Sequence, residues 1–154
     1  MDAMGEKEGT TDLQTEYTQF FSELADRLSS RISTRLPAPK PGDNHYTFPA
    51  GLPGAHFKWG FTGRSRSPFT AGLHFCSKNR DTKLMRLREM RKLRHEIEER
   101  TGEKVVFEPE ATEREARLYI QKNEGRMTEE LKKWAVEKMV ILYNLLKPEL
   151  EKLR

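Results

Sequence analysis

The chain has 154 residues, 28 Lys/Arg against 24 Asp/Glu for a formal +4, and a charged fraction of 34% beside 35% hydrophobic residues. That length suits one domain with its own core, and eight Phe, four Tyr and two Trp exclude a disordered chain. No apolar run approaches the roughly 20 residues that span a bilayer, and the single cysteine, Cys76, excludes an intrachain disulfide and fits a reducing cytoplasm.

Residues 1–10 are polar and lack the apolar stretch of a signal peptide, so they read as a disordered leader. Residues 11–32 read as an amphipathic helix. Thr11 and Gln14 resemble a capping box, and Leu13, Tyr17, Phe20, Phe21, Leu24, Leu28 and Ile32 form one apolar stripe. The helix ends before Pro37, and "LPAPKPGDN" (36–44) is a proline-rich connector. Tyr46–Phe48 reads as a short edge strand.

"HFKWGFTGRSRSPFTAGLHF" (56–75) reads as a hairpin with its loop at Gly63–Ser67. In that register Phe57 opposes Leu73, Trp59 opposes Ala71 and Phe61 opposes Phe69, with large meeting small mid-face. The other face holds His56, Lys58, Gly60, Thr70, Gly72, His74 and Cys76, the alternation of a half-buried antiparallel pair. The aromatics therefore read as core rather than as a platform for stacking bases. What stays exposed is the loop and the face carrying His56, Lys58 and His74.

Asp81 is the expected N-cap of a helix running to about Arg100, with Gly102 as its stop and Leu84, Leu87, Met90, Leu93 and Ile97 as its inner stripe. "KVVFE" (104–108) and "EARLYIQK" (115–122) read as strands. In the second, Ala116, Leu118 and Ile120 point one way and Arg117, Tyr119 and Gln121 the other. Thr128 starts a final helix that runs to Lys147, where Pro148 kinks or ends it. The expectation is an α+β domain over residues 11–154. It has an antiparallel β-sheet of about five strands and three helices, in the order α-β-β-β-α-β-β-α, with the helices packed on the apolar face.

Charge concentrates in "KNRDTKLMRLREMRKLRH" (78–95), where eight Lys/Arg against Asp81 and Glu89 leave +6, so the rest of the chain carries −2. Arg88, Arg91, Lys92 and His95 share one helix stripe. Together with Arg64 and Arg66 on the hairpin loop, Arg88, Arg91 and Lys92 are the candidate contacts to DNA or RNA phosphates. The competing reading is a solvated helix face, since lysine and arginine are good helix formers. The final helix offers a different signal. Val136, Val140, Ile141 and Tyr143 extend its apolar surface beyond the inner face, which suits either a homodimer or partner-protein interface or cover by the first helix.

Catalytic and metal signatures are weak. His56, His74 and Cys76 share one face, but a fourth ligand and the usual spacing are missing, so no metal is expected. The sequence has no Gly-x-Ser-x-Gly, and Cys76 lacks a local nucleophile signature. Glu108, Glu110, Glu113 and Glu115 read as a solvated loop and strand end. "ELK" (130–132) matches half of a nuclease motif but falls at a helix start. The expected function is a non-catalytic binding module associated with nucleic acid, without cofactor. The alternative is a dimerisation or interaction domain working through the last helix.

"FFSELADRL", "YTFPAG", "HFKWGF", "EIEERTGEKVVFEPE", "ARLYIQKNEG" and "LKKWAVEKMVILYNLLKPEL", in this order and spacing, resemble an uncharacterised prokaryotic domain-of-unknown-function family over residues 13–150. Members are often fused C-terminal to restriction-endonuclease-like nuclease domains. The resemblance implies work near nucleic acid or in defence against foreign DNA, an inference by company. It carries over no catalytic residue, because the family's catalytic carboxylates belong to the fused nuclease.

Overall fold

The alternating and helical runs fold in the order α1 (Asp2–Ile32), β1 (His45–Pro49), β2 (Ala55–Phe61), β3 (Phe69–Cys76), α2 (Arg80–Arg91), α3 (Arg94–Thr101), β4 (Val106–Glu108), β5 (Glu115–Lys122) and α4 (Glu129–Glu151). This computed structural model describes residues 2–63 and 65–154, the first ten of them (2–11) by backbone alone. The proposed Thr11–Gln14 cap and the side chains of the expected leader therefore lie outside the described residues. The backbone of α1 is helical from Asp2, ahead of the start at residue 11 read from the sequence.

The five strands form one antiparallel sheet in the order β1-β2-β3-β5-β4. The hairpin register is the one that large-against-small pairing favours: Phe57 faces Leu73, Trp59 faces Ala71 and Phe61 faces Phe69. Extending that alternation across the sheet puts Tyr46, Phe48, Phe57, Trp59, Phe61, Phe69, Ala71, Leu73, Phe75, Ala116, Leu118 and Ile120 in one buried row. These residues share a single core with Phe20, Phe21, Leu24 and Leu28 of α1, Leu87 and Met90 of α2, Ile97 of α3, and Leu131, Ala135, Leu142 and Leu146 of α4. Each large apolar side chain so buried contributes about 1.5–3 kcal/mol. Trp59 adds a polar tie, its Nε1–H donating to the Ala135 carbonyl at 3.0 Å. The proline-rich connector is fastened too: the Tyr46 hydroxyl donates to the Pro37 carbonyl at 2.6 Å, and the Gly42 amide to Thr18 Oγ1 at 2.9 Å.

The α+β class and the five-strand sheet match the sequence reading, but the helix count does not. The described residues hold four helices rather than three, because the basic segment read as one helix breaks at Lys92–Leu93. Leu93 sits at φ −95, ψ 7, between the two halves. Neither proline nor glycine marks the break, so its cause is tertiary. The first half lies along β3 and β5, while the second turns to α4. There the Thr101 carbonyl accepts from Lys138 Nζ, and Trp134 Nε1–H donates to Glu103 Oε2 at 3.2 Å. The N-cap is Asn79, whose side chain accepts from the Thr82 amide, and Asp81 sits in the first turn instead. Gly102 closes α3 at φ 73, a left-handed position that glycine adopts without penalty.

Two further boundaries move. Strand β4 is only Val106–Glu108, shorter than the 104–108 run suggested. Helix α4 starts from the expected Thr128 cap, whose hydroxyl accepts from the Leu131 amide, but continues through Pro148 to Glu151. Leu150 in that last turn is fully buried, and its burial holds the helix past the proline.

Candidate functional site

Every residue that turns an aromatic into the core turns its neighbours out. The helices all cover the apolar face, so the opposite face of the sheet is open. Crossing it in register are His45–Gly60–Thr70–Gln121, then Thr47–Lys58–Gly72–Tyr119, then Pro49–His56–His74–Arg117. Two positions near the middle, Gly60 and Gly72, carry no side chain. At Gly72 the glycine is demanded by packing, because a Cβ there would overlap the Leu118 carbonyl oxygen and approach Tyr119 Cβ to 2.7 Å. At Gly60 it is not: a Cβ would rest 3.5 Å from His45 Cβ and 3.8 Å from Lys58 Cε and Thr70 Oγ1, ordinary contacts. The missing side chain there leaves the floor of a cleft of about 340 Å³, walled by Asn44, His45, Lys58, Thr62, Thr70, His74, Arg117, Tyr119 and Gln121.

The charges on this face are arranged unequally. His74 is only 4% exposed, and its Nδ1 is hydrogen-bonded to Glu115 Oε1. Burial pushes the His74 pKa below its usual value, outweighing the carboxylate beside it. Glu115 is held down at about 2, first by the hydrogen bond from His74, with the charges of Lys58 and Arg117 adding to it. The pair is therefore a neutral imidazole whose Nδ1–H donates to an ionised carboxylate. The His56 ring stacks on His74 at 5.5 Å and 27°, and its pKa too is lowered, by burial first and then by His74. Arg117 donates from Nε to Glu108 Oε1 at 2.6 Å and lies over the Tyr119 ring at 5.7 Å.

Lys58 is the exception. Half-buried at the heart of the face, it has no carboxylate within 4.0 Å among the described residues. Its charge nevertheless reaches its neighbours, disfavouring protonation of His45, His56 and His74 and favouring the ionised Glu115. A cation that makes no salt bridge, set in a recess of the protein surface, focuses positive potential where a ligand anion would sit.

The Cys76 thiol lies 4.0 Å from Glu115 Oε2, and burial, followed by that carboxylate, pushes its pKa up, which makes it a poor nucleophile. Among the described residues no group of three His, Cys, Asp or Glu is arranged to hold a metal ion.

The residues singled out from the sequence are dispersed. Arg64 lies outside the described residues. Arg66, at φ 63, lines a shallow cleft with Glu16, Glu23, Arg126 and Lys132. Arg88 and Arg91 line a different one with Leu84, Leu87 and Pro109, and Arg91 and Arg94 both lie over the Phe107 ring, at 5.3 and 5.6 Å. Lys92 is exposed and paired with Glu89 at 2.6 Å. Arg66 of the hairpin loop and Arg88 and Arg91 of the basic helix thus line separate clefts. On α4, Val136 and Tyr143 are buried within the chain, Tyr143 against Phe48 and Phe57, while Val140 and Ile141 are half-buried. The intrachain cover is α1, which packs along α4, together with the sheet. Met85, at 41%, is the exposed large hydrophobic among the described residues.

The sequence reading pointed to the face of His56, Lys58 and His74 but missed Glu115, Arg117, Tyr119 and Gln121 as parts of the same site. The alternation of "EARLYIQK" already turns those residues to one side. What it lacks is the crossing that seats β5, rather than β4, beside β3.

A family model described as a domain of unknown function (DUF4268) matches residues 16–153. No curated protein matches the chain, and no solved structure matches it.

Proposed function

The chain belongs to the DUF4268 family of domains of unknown function, and from that premise we propose that it is a non-catalytic, nucleic-acid-associated binding module whose ligand lies on the open face of the sheet. The observation that carries the reading is Lys58, a cation with no salt bridge among the described residues, set into a glycine-floored cleft. Phosphate oxygens are the partners such a lysine accepts as a point charge. The walls add amide and hydroxyl groups that can hydrogen-bond a ligand. The resemblance to domains fused behind restriction-endonuclease-like nucleases supports a place in a prokaryotic restriction or defence system, working in the cytoplasm. Among the described residues no helix is long and apolar enough to cross a membrane.

Fluorescence anisotropy with labelled single-stranded DNA, single-stranded RNA and duplex DNA, each at two salt concentrations, tests the reading. Affinity should fall as salt rises, and Lys58→Ala should reduce the logarithmic salt slope by about one, the signature of one lost phosphate contact. Absence of binding at low salt would refute it. The exposed guanidinium groups of Arg91 and Arg94 over Phe107, with exposed Arg88 lining a cleft beside Arg91, support a second route to nucleic acid. The double variant Arg88→Ala/Arg91→Ala separates that route from the cleft.

A further inference from the structure

The shape of the open-face cleft narrows the ligand class. About 340 Å³ lies at the small end of ligand pockets, which run from roughly 300 to 1,000 Å³. A duplex presents its phosphates on a convex surface and hides its base edges in grooves, so reading it takes an element that protrudes. Here the cation is recessed. Its floor is Gly60, where a Cβ would make only ordinary contacts, so the empty space is not a by-product of strand packing.

The walls also differ in kind. Tyr119 offers a ring on the Lys58 row, with the Arg117 guanidinium over it and tethered by Glu108. Gln121 is exposed and has no hydrogen-bond partner among the described residues, so its amide is free to give and take with a base edge. Asn44 uses its Oδ1 towards His45 Nδ1 at 3.2 Å and keeps its amide N–H groups available. A ring to lie against, amides for a base edge and an unpaired ammonium for a phosphate together match one nucleotide whose base is unstacked and unpaired.

We infer that the cleft holds one unpaired nucleotide of a single strand, with its phosphate on Lys58, its base beside Tyr119 and its base edge at Gln121. The inference rests on the nucleic-acid reading above and commits it to single strands. Gly60 determines access: any larger side chain there fills the seat of the nucleotide while leaving the core side of β2 untouched.

The test is a titration of the full chain with a short single-stranded oligonucleotide, the matching duplex and a mononucleotide, using the natural sequence, Gly60→Leu and Gln121→Ala. The single strand should bind more tightly than the duplex and the mononucleotide. Gly60→Leu should weaken single-strand binding roughly tenfold or more, the scale of losing one stacked nucleotide. Gln121→Ala, an exposed position that leaves folding intact, should weaken it less and alter the preference among homopolymers. Equal binding of duplex and single strand overturns the inference, as does unchanged binding by both variants, yet either result leaves nucleic-acid binding standing. A mononucleotide that binds as tightly as the strand overturns the assignment to strands. Failure of every nucleic acid to bind at low salt overturns the underlying reading as well.

Discussion

The two faces of one sheet follow opposite rules. On the inner face each outlet for a side chain is filled by an aromatic or aliphatic group, and all but the half-buried Phe107 of β4 are buried where the strands meet α1, α2 and α4. On the outer face, one residue away along each strand, Gly60 leaves a hollow and the cations are unequally paired. The backbone is common to both, so the difference comes from side-chain alternation alone. A face that serves only stability has no use for a glycine where a Cβ fits or for a lysine that makes no salt bridge among the described residues. Both features occur at the same place.

Substitutions can break this contrast or sharpen it. The largest effect belongs to the inner face: Trp59→Ala removes a fully buried ring and its hydrogen bond to Ala135 and should cost about 3–5 kcal/mol in urea unfolding. A loss below about 1 kcal/mol would mean that the inner row is not the core.

Next comes the buried pair on the outer face. Glu115→Gln removes the carboxylate that accepts from His74 and should cost about 1.5–3 kcal/mol near neutral pH.

The same pair sets the acid limit. The folded pKa of His74 lies below 6.5, and that of Glu115 lies at about 2 against an ordinary 4.5. In both cases the unfolded chain binds protons more readily, so the stabilisation is complete above about pH 6.5. It declines as His74 charges below that value, and again as pH falls from 4.5 towards about 2. Unfolding midpoints measured from pH 8 to pH 3 should fall in that sense, and the lower step should vanish in Glu115→Gln. A flat profile would show that the pair does not stabilise the fold.

The smallest effect on stability is the most telling. Lys58→Ala, which breaks no salt bridge among the described residues, should shift unfolding by less than about 1 kcal/mol, while nucleic-acid binding weakens. A large loss of stability there would make Lys58 part of the scaffold instead.

Local pattern made much of this architecture readable. The alternation in 56–75 set the hairpin register, because only one pairing puts Trp59 over Ala71. Thr128 and Gly102 announced helix ends through their own chemistry. The break at Leu93 was not readable, since it answers to where α4 lies rather than to any residue nearby. The passage of α4 through Pro148 depends in the same way on a distant pocket for Leu150. Half of the candidate site escaped for the same reason. Glu115 looked like a solvated strand end until β5 took its place beside β3, which brought its carboxylate to His74. The apolar surplus of α4 is absorbed largely within the chain, where Val136 and Tyr143 are buried.

The most direct test of the two-faced sheet is an NMR titration of the ¹⁵N-labelled chain with a short single-stranded oligonucleotide. Backbone amide shifts should gather first, at the lowest oligonucleotide concentrations, at His45, Lys58, Gly60, Thr70, Tyr119 and Gln121, ahead of any at Arg88, Arg91 and Lys92. Shifts confined to the basic helix, or a spectrum unchanged at low salt, would contradict it.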